Sequence, residues 1–293
     1  MRGLFSLVCA AVLAALFAAT PRELLAQHRC ERIVSLAPSV TEVLYDVGLG
    51  DALVGRTRFC RYPAAASAVP AIGGFYDASI EAIVAAKPTH VVTLSETADI
   101  ARKASEFGIA VIEVDHRSVK GIKDSYRAIG ERCGIQTAAE RKLQALGERE
   151  QAVQRAVAGK GEVRTLVVVG RTQQRGEVSS VYVSGSDGFY SDVLRLAGAV
   201  NVNRSPTIAL PLLSPEGLNV LKPDAIVEIV NVDDDVFLGQ GMELWRHLSA
   251  IPAVQTGSVF LVSDDFASIP GPRYIQLVEK VAGLLHGDIG RES

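Results

Sequence analysis

A chain of 293 residues, 48% of them hydrophobic, has enough apolar material for two α/β domains of ordinary size or one large one. A net charge of −3 from 30 basic and 33 acidic residues argues against nucleic acid as a partner, and no acidic tail marks a scavenger of cations. Five scattered histidines without an H-x-x-x-H spacing, and cysteines without a C-x-x-C, argue against a metal site.

The first stretch, MRGLFSLVCAAVLAALFAAT, sets one cation, Arg2, before an apolar run that reaches Ala19, and the polar PRELLAQ follows. That is the layout of a secretory signal peptide over residues 1–26, cut after Ala26. The run is short for an uncleaved membrane span, and Val8 before Cys9 is not the small residue of a lipoprotein signal. The mature chain is expected to be exported and soluble. It keeps Cys30, Cys60 and Cys133, so at most one internal bridge forms; Cys60 with Cys133 is one pairing, and the choice stays open.

From Glu31 onward, short β-branched runs alternate with helical patterns. RIVSL reads as a strand, SVTEVLYDVGLG as a helix capped by Ser39 and stopped by glycine, and ALVGRT as a second strand. SIEAIVAAK, HVVTL, TADIARKASEFG and IAVIEV continue as helix, strand, helix and strand, giving an amino-terminal lobe over 30–135. The rhythm then breaks into helix, with Leu143, Leu146, Val153 and Val157 recurring at helical spacing over a connecting segment 136–160. Alternation resumes in TLVVVG, DGFYSDVLRLAG, SPEGLNVLK, AIVEIV, GMELWRHLS and SVFLV. A last helix runs from about Pro272 to His286, in a second lobe spanning 161–293. The expected fold is α/β: two Rossmann-like lobes with parallel sheets, joined by a single long backbone helix, with a ligand cleft between them. The competing expectation is one large domain with a solvated surface helix.

One segment occurs twice. SIEAIVAAKPTHVV (79–92) and SPEGLNVLKPDAIV (214–227) share the pattern S-x-E-x-(I/L)-x-x-x-K-P-x-x-(I/V)-V. In each copy the serine hydroxyl suits a helix cap and the glutamate falls in the first turn. Pro215 occupies a position where its missing N–H costs nothing. Taken singly, Glu81 and Glu216 are explained by the helix dipole, which favours a carboxylate there by about 0.3–1 kcal/mol. As a matched pair, one per lobe, they suggest two equivalent points of contact for a partner.

With the repeat, the two lobes and the leader in view, residues 31–286 resemble the periplasmic substrate-binding proteins of ABC importers for cobalamin, ferric siderophores and haem, the helical-backbone (class III) group. The cobalamin-binding type is the nearest in pattern, through RIVSLAPSVTEVLYDVGLGDALVGRTRFCRYP, the repeat, LWRHLSAIPAVQTGSVFLV and PGPR. The resemblance implies that Glu81 and Glu216 dock on the ABC transporter permease dimer of the inner membrane, with the carrier a periplasmic monomer. It places Ser39, Phe59, Tyr62 and Phe75 on the first wall of the cleft, and Tyr182, Leu210, Asp264 and Arg273 on the second. Tyr62 has a second reading as support for its loop, and Arg273 as a cap for the helix it opens. Phe59, Phe75 and Tyr182 each have a reading as core aromatics. Leu94 and Leu210 stand where that type carries tryptophans, and Trp245 reads as core on a helix outside the cleft.

The implied ligand is cobalamin or a related corrinoid. A ferric siderophore would instead call on cations such as Arg56, Arg58, Arg61, Arg171 and Arg175, and haem on an axial Tyr62, Tyr182 or His116. No catalytic residues are expected: G-x-S-x-G is absent, SGSDG lacking its first glycine, which leaves an exported α/β hydrolase as a remote alternative.

Overall fold

The computed structural model describes residues 30–174, 177–186, 188–205, 210–230 and 243–287, so the leader segment and Arg175 lie outside the described residues. The chain opens with β1 (Ile33–Ser35), α1 (Pro38–Asp46), β2 (Leu53–Arg56), α2 (Ile80–Ala85), β3 (His90–Leu94), α3 (Ala98–Ser105), β4 (Ala110–Val114) and α4 (Val119–Cys133). Its sheet is wholly parallel in the order β2-β1-β3-β4. The central strands β1 and β3 are buried on both faces, as strands of a parallel sheet flanked by helices are.

Helix α5 (Gln136–Val157) follows, 22 residues and about 33 Å long. Its buried stripe is Ala139, Leu143, Leu146, Glu150 and Val153, at steps of three and four. Glu150 breaks the apolar pattern for a reason. Its Oε2 accepts from Lys123 Nζ on α4 (2.6 Å), and its Oε1 from the Tyr274 hydroxyl of the second lobe (2.7 Å). One carboxylate on the connecting helix thereby ties both lobes to it.

The second lobe runs β5 (Val163–Gln174), β6 (Glu177–Val183), α6 (Phe189–Leu196), β7 (Ala199–Asn201), β8 (Leu212–Leu213), α7 (Pro215–Leu221), β9 (Ala225–Ile229), α8 (Pro252–Gln255), β10 (Val259–Val262) and α9 (Tyr274–His286). Its sheet follows β10-β9-β5-β6-β8, with β7 also on β5. The β10–β9, β9–β5 and β5–β7 pairs are parallel, whereas β6 pairs antiparallel with β5 and with β8. That antiparallel ribbon interrupts the parallel pattern expected from the β/α alternation. Trp245 is core, as expected, within a 3₁₀ turn over Glu243–Leu248; its indole N–H donates to Glu228 Oε2 (2.9 Å). One hydrophobic cluster passes from β1 and α1 through α4 and α5 into α6, β9 and α9, so the lobes share a core along their junction.

The disulfide joins Cys30 to Cys133, and Cys60 is free and buried. The Cys60–Cys133 pairing is therefore corrected: the chain just before β1 and the end of α4 lie side by side, 103 residues apart in sequence. Closing so long a loop restricts the unfolded chain, and Cys133→Ser is expected to cost about 2–4 kcal/mol, read as a lower urea midpoint under oxidising conditions. Among the described residues no helix is long and apolar enough to cross a membrane.

Candidate functional site

The lobes face each other through the carboxyl edges of their sheets, the usual location of sites in open α/β folds. Ser39 follows β1 and His116 follows β4, while Gly271 and Arg273 follow β10. The backbone must pass closely here. A Cβ on Gly271 would lie 3.2 Å from Ser39 Cβ and from a Glu42 carboxylate oxygen, and one on Gly188 only 3.0 Å from the Arg117 carbonyl oxygen.

Arg273 occupies the N-cap position of α9 but makes no side-chain cap bond, and its side chain is buried. The guanidinium grips Glu42 of α1 in a bidentate pair, Nε to Oε2 at 3.1 Å and Nη2 to Oε1 at 2.6 Å, while Nη1 donates to Asp265 (2.6 Å). Its Cζ also lies 3.9 Å from the centre of the Tyr62 ring, so Tyr62 packs at the lobe junction. Burial pushes the Glu42 pKa up against the opposing pull of Arg273. Beside this joint lies a recess of ≈ 440 Å³ between α1, α5 and the start of α9; it contains Tyr62 and Arg273 but none of the other wall residues.

The cap expected of Ser39 is also corrected. Pro38 takes the first helical position of α1, which puts Ser39 inside the helix instead of at its cap. There it is buried, its hydroxyl 2.8 Å from His116 Nδ1. Asp264 is ion-paired with Lys280. His116 is likewise enclosed, and burial pushes its pKa down to about 4, which leaves it neutral and out of reach as an axial ligand.

The apolar wall residues have a clearer outcome. Phe59 is exposed, with the Arg58 guanidinium 5.2 Å from its ring centre, and is not core. Phe75 is half-buried against the core and holds Tyr76 in an edge-to-face contact at 4.7 Å, so the more exposed ring of that pair is Tyr76, at 76%. On the other lobe Tyr182 (44% exposed) sits opposite Leu212 in the β6–β8 register. Leu210 and Leu212 are exposed beside it, whereas Leu94 packs on the core. Tyr76 and Leu212 were not anticipated. Alternation along Leu210-Pro211-Leu212 was the available signal for the second; nothing in GGFYDAS favours Tyr76 over Phe75.

The cations of a siderophore site are largely engaged elsewhere. Arg56 donates to the Thr57, Ala66 and Ser67 carbonyls, Arg58 is paired with Asp77, and Arg171 is buried against Glu228.

The sequence repeat is a repeat in three dimensions. Ser79 Oγ accepts from the Ala82 N–H (3.1 Å), and Ser214 Oγ from the Gly217 N–H (3.5 Å). Each helix ends in a left-handed lysine, Lys87 and Lys222, both at φ +47°, and proline then bars continuation. Arg32 donates to the Lys87 and Ala86 carbonyls, and Arg164 matches it on the Leu221 carbonyl at 2.8 Å. Both helices lead by a short turn into a parallel strand, so both glutamates stand at a carboxyl edge, exposed. For Glu81, its own backbone N–H and then the Ser79 hydroxyl hold the carboxyl below its ordinary pKa; for Glu216 the Ser214 hydroxyl leads.

The sequence matches the family model described as periplasmic binding protein over residues 33–265. The chain is 29% identical over 272 residues to an uncharacterized ABC transporter substrate-binding lipoprotein, YvrC, of Bacillus subtilis (strain 168), covering 89% of this chain and 82% of that one. It is 24% identical over 270 residues to a vitamin B12-binding protein of Vibrio cholerae, covering 91% and 93%. Among solved structures, the periplasmic heme-binding protein BhuT in complex with two hemes superposes with a TM-score of 0.75 at 21% identity, covering 88% of this chain and 99% of that one, which establishes a shared fold.

Proposed function

The chain belongs to the periplasmic binding protein family, and on that premise we propose that it captures cobalamin (vitamin B12) or a related corrinoid and delivers it to an ABC transporter permease. Capture takes place in the periplasm, in the cleft between the lobes, and the permease dimer sits in the inner membrane. The protein is a carrier and not an enzyme.

The observation that supports this reading is the set of exposed apolar side chains, Phe59 and Tyr76 in one lobe, Tyr182, Leu210 and Leu212 in the other. Large apolar side chains left in water are suited to a bulky ligand with an apolar face. A corrin ring has such a face and a polar periphery. An anionic, oxygen-rich siderophore would want free cations, and Arg56, Arg58 and Arg171 already have partners.

Calorimetric titration of the purified chain with cyanocobalamin, alongside visible spectra with haem, tests the assignment. Saturable binding of cyanocobalamin is expected; binding of haem alone would overturn it. Haem is the second reading, favoured by the exposed Tyr182 side chain. One substitution separates the two. Tyr182→Ala is expected to weaken cyanocobalamin binding about tenfold through lost stacking area, with the thermal midpoint unchanged, while Tyr182→Phe keeps it. For a tyrosinate–iron site, Phe would be as damaging as Ala.

A further inference from the structure

We infer that Ser79 and Ser214 are positioning residues that aim the Glu81 and Glu216 carboxylates at the permease. This rests on the docking reading of the two glutamates and adds to it the groups that orient them.

A glutamate at the second position of a helix has several staggered rotamers open to it, and an exposed one ordinarily samples them. Here it does not stand alone. The Ser79 hydroxyl donates to Glu81 Oε2 at 2.8 Å while accepting from the Ala82 N–H, and the Ser214 hydroxyl donates to Glu216 Oε2 at 2.6 Å while accepting from Gly217. In both copies one oxygen of the carboxylate is engaged, by the residue two places earlier. Helix capping requires only that the serine accept. The donated proton does nothing for the cap, and it leaves Oε1 of each carboxylate without a side-chain partner in the described residues. An acidic group held in one rotamer by such a bond is preorganised to receive a cationic group, because less side-chain freedom is lost on contact. That the arrangement recurs about 135 positions apart, in helices whose other residues differ (IEAIVA against PEGLNVL), ties it to the pair of contacts instead of to either helix.

The test uses the full-length mature chain and its cognate permease–ATPase complex in nanodiscs, with cyanocobalamin as the probe ligand. Glycine is accepted at a helix cap but has no hydroxyl, so Ser79→Gly with Ser214→Gly removes the donated bond and keeps the helix start. The concentration of carrier that half-saturates ATPase stimulation is expected to rise about tenfold at unchanged maximal rate and unchanged cyanocobalamin affinity. Threonine at both positions restores the wild-type value. The reference is Glu81→Gln with Glu216→Gln, which should be at least as impaired. If the glycine double variant half-saturates like the wild type while the glutamine variant is impaired, the positioning role is wrong and the docking role stands. If the glutamine variant is also unimpaired, the docking reading itself falls. A lowered maximal rate at unchanged half-saturation in the glycine variant likewise overturns the inference.

Discussion

Arg273→Ala is expected to lower the unfolding free energy by about 3–5 kcal/mol, because it leaves the Glu42 carboxylate buried without its counter-charge. The Glu42 side chain is 2% exposed and the Arg273 side chain 8%, so water does not replace the lost partner. The bonds join the first helix of one lobe to the segment that opens the last helix of the other, and the loss should loosen the lobe junction itself. The sign of the pH dependence follows from Glu42. Burial raises its folded pKa, and without the guanidinium nothing opposes that rise. The folded variant then binds a proton that the unfolded chain has released, so its stability falls as pH rises through the ordinary carboxylate range and recovers on acidification. Urea denaturation of wild type and variant at several pH values reads both effects. The double change Glu42→Met with Arg273→Met removes both charges at similar volume and should recover most of the loss. A single variant as stable as the wild type would show that the pair is not buried in solution.

Glu81→Ala with Glu216→Ala is expected to cut ligand uptake by about an order of magnitude or more while leaving ligand affinity and thermal midpoint near wild type. Both carboxylates are exposed, one at the start of a short helix in each lobe, and neither contributes to the apolar walls. Removing them therefore takes nothing from the core and nothing from the cleft. Complementary charges act mainly when the partner arrives, so wild-type uptake by the reconstituted transporter should be more sensitive to salt than the variant's. The measurement is radiolabelled cobalamin uptake, with calorimetry as the control for capture. Unaltered uptake would return both glutamates to the role of helix-dipole partners.

Much of this architecture was legible before any coordinates because it follows from neighbours in sequence. The S-x-E and K-P signals of the repeat specify a cap, a first-turn carboxylate and a stop, and both copies fold that way. The stripe Leu143, Leu146 and Val153 marked the connecting helix, although the buried Glu150 within it carried no sequence signal, since its partners Lys123 and Tyr274 come from different lobes. Phe59 was expected to be exposed from its loop setting and Tyr182 from the family resemblance, and both are exposed; the cap readings of Ser39 and Arg273 failed because distant groups claim their side chains.

The chain's own order of residues was enough to determine the β/α alternation, the long connector and the duplicated acidic segment, since hydrophobic period, capping and proline stops act within a few residues. Only the folded molecule decided that Cys30 bonds to Cys133, that Arg273 locks onto Glu42, and that Tyr76 and Leu212 stand out in water. Those outcomes depend on which surfaces meet across separations of about a hundred residues or more, or on which of two adjacent rings the core accepts. Burial and ion pairing are properties of that meeting and have no local code.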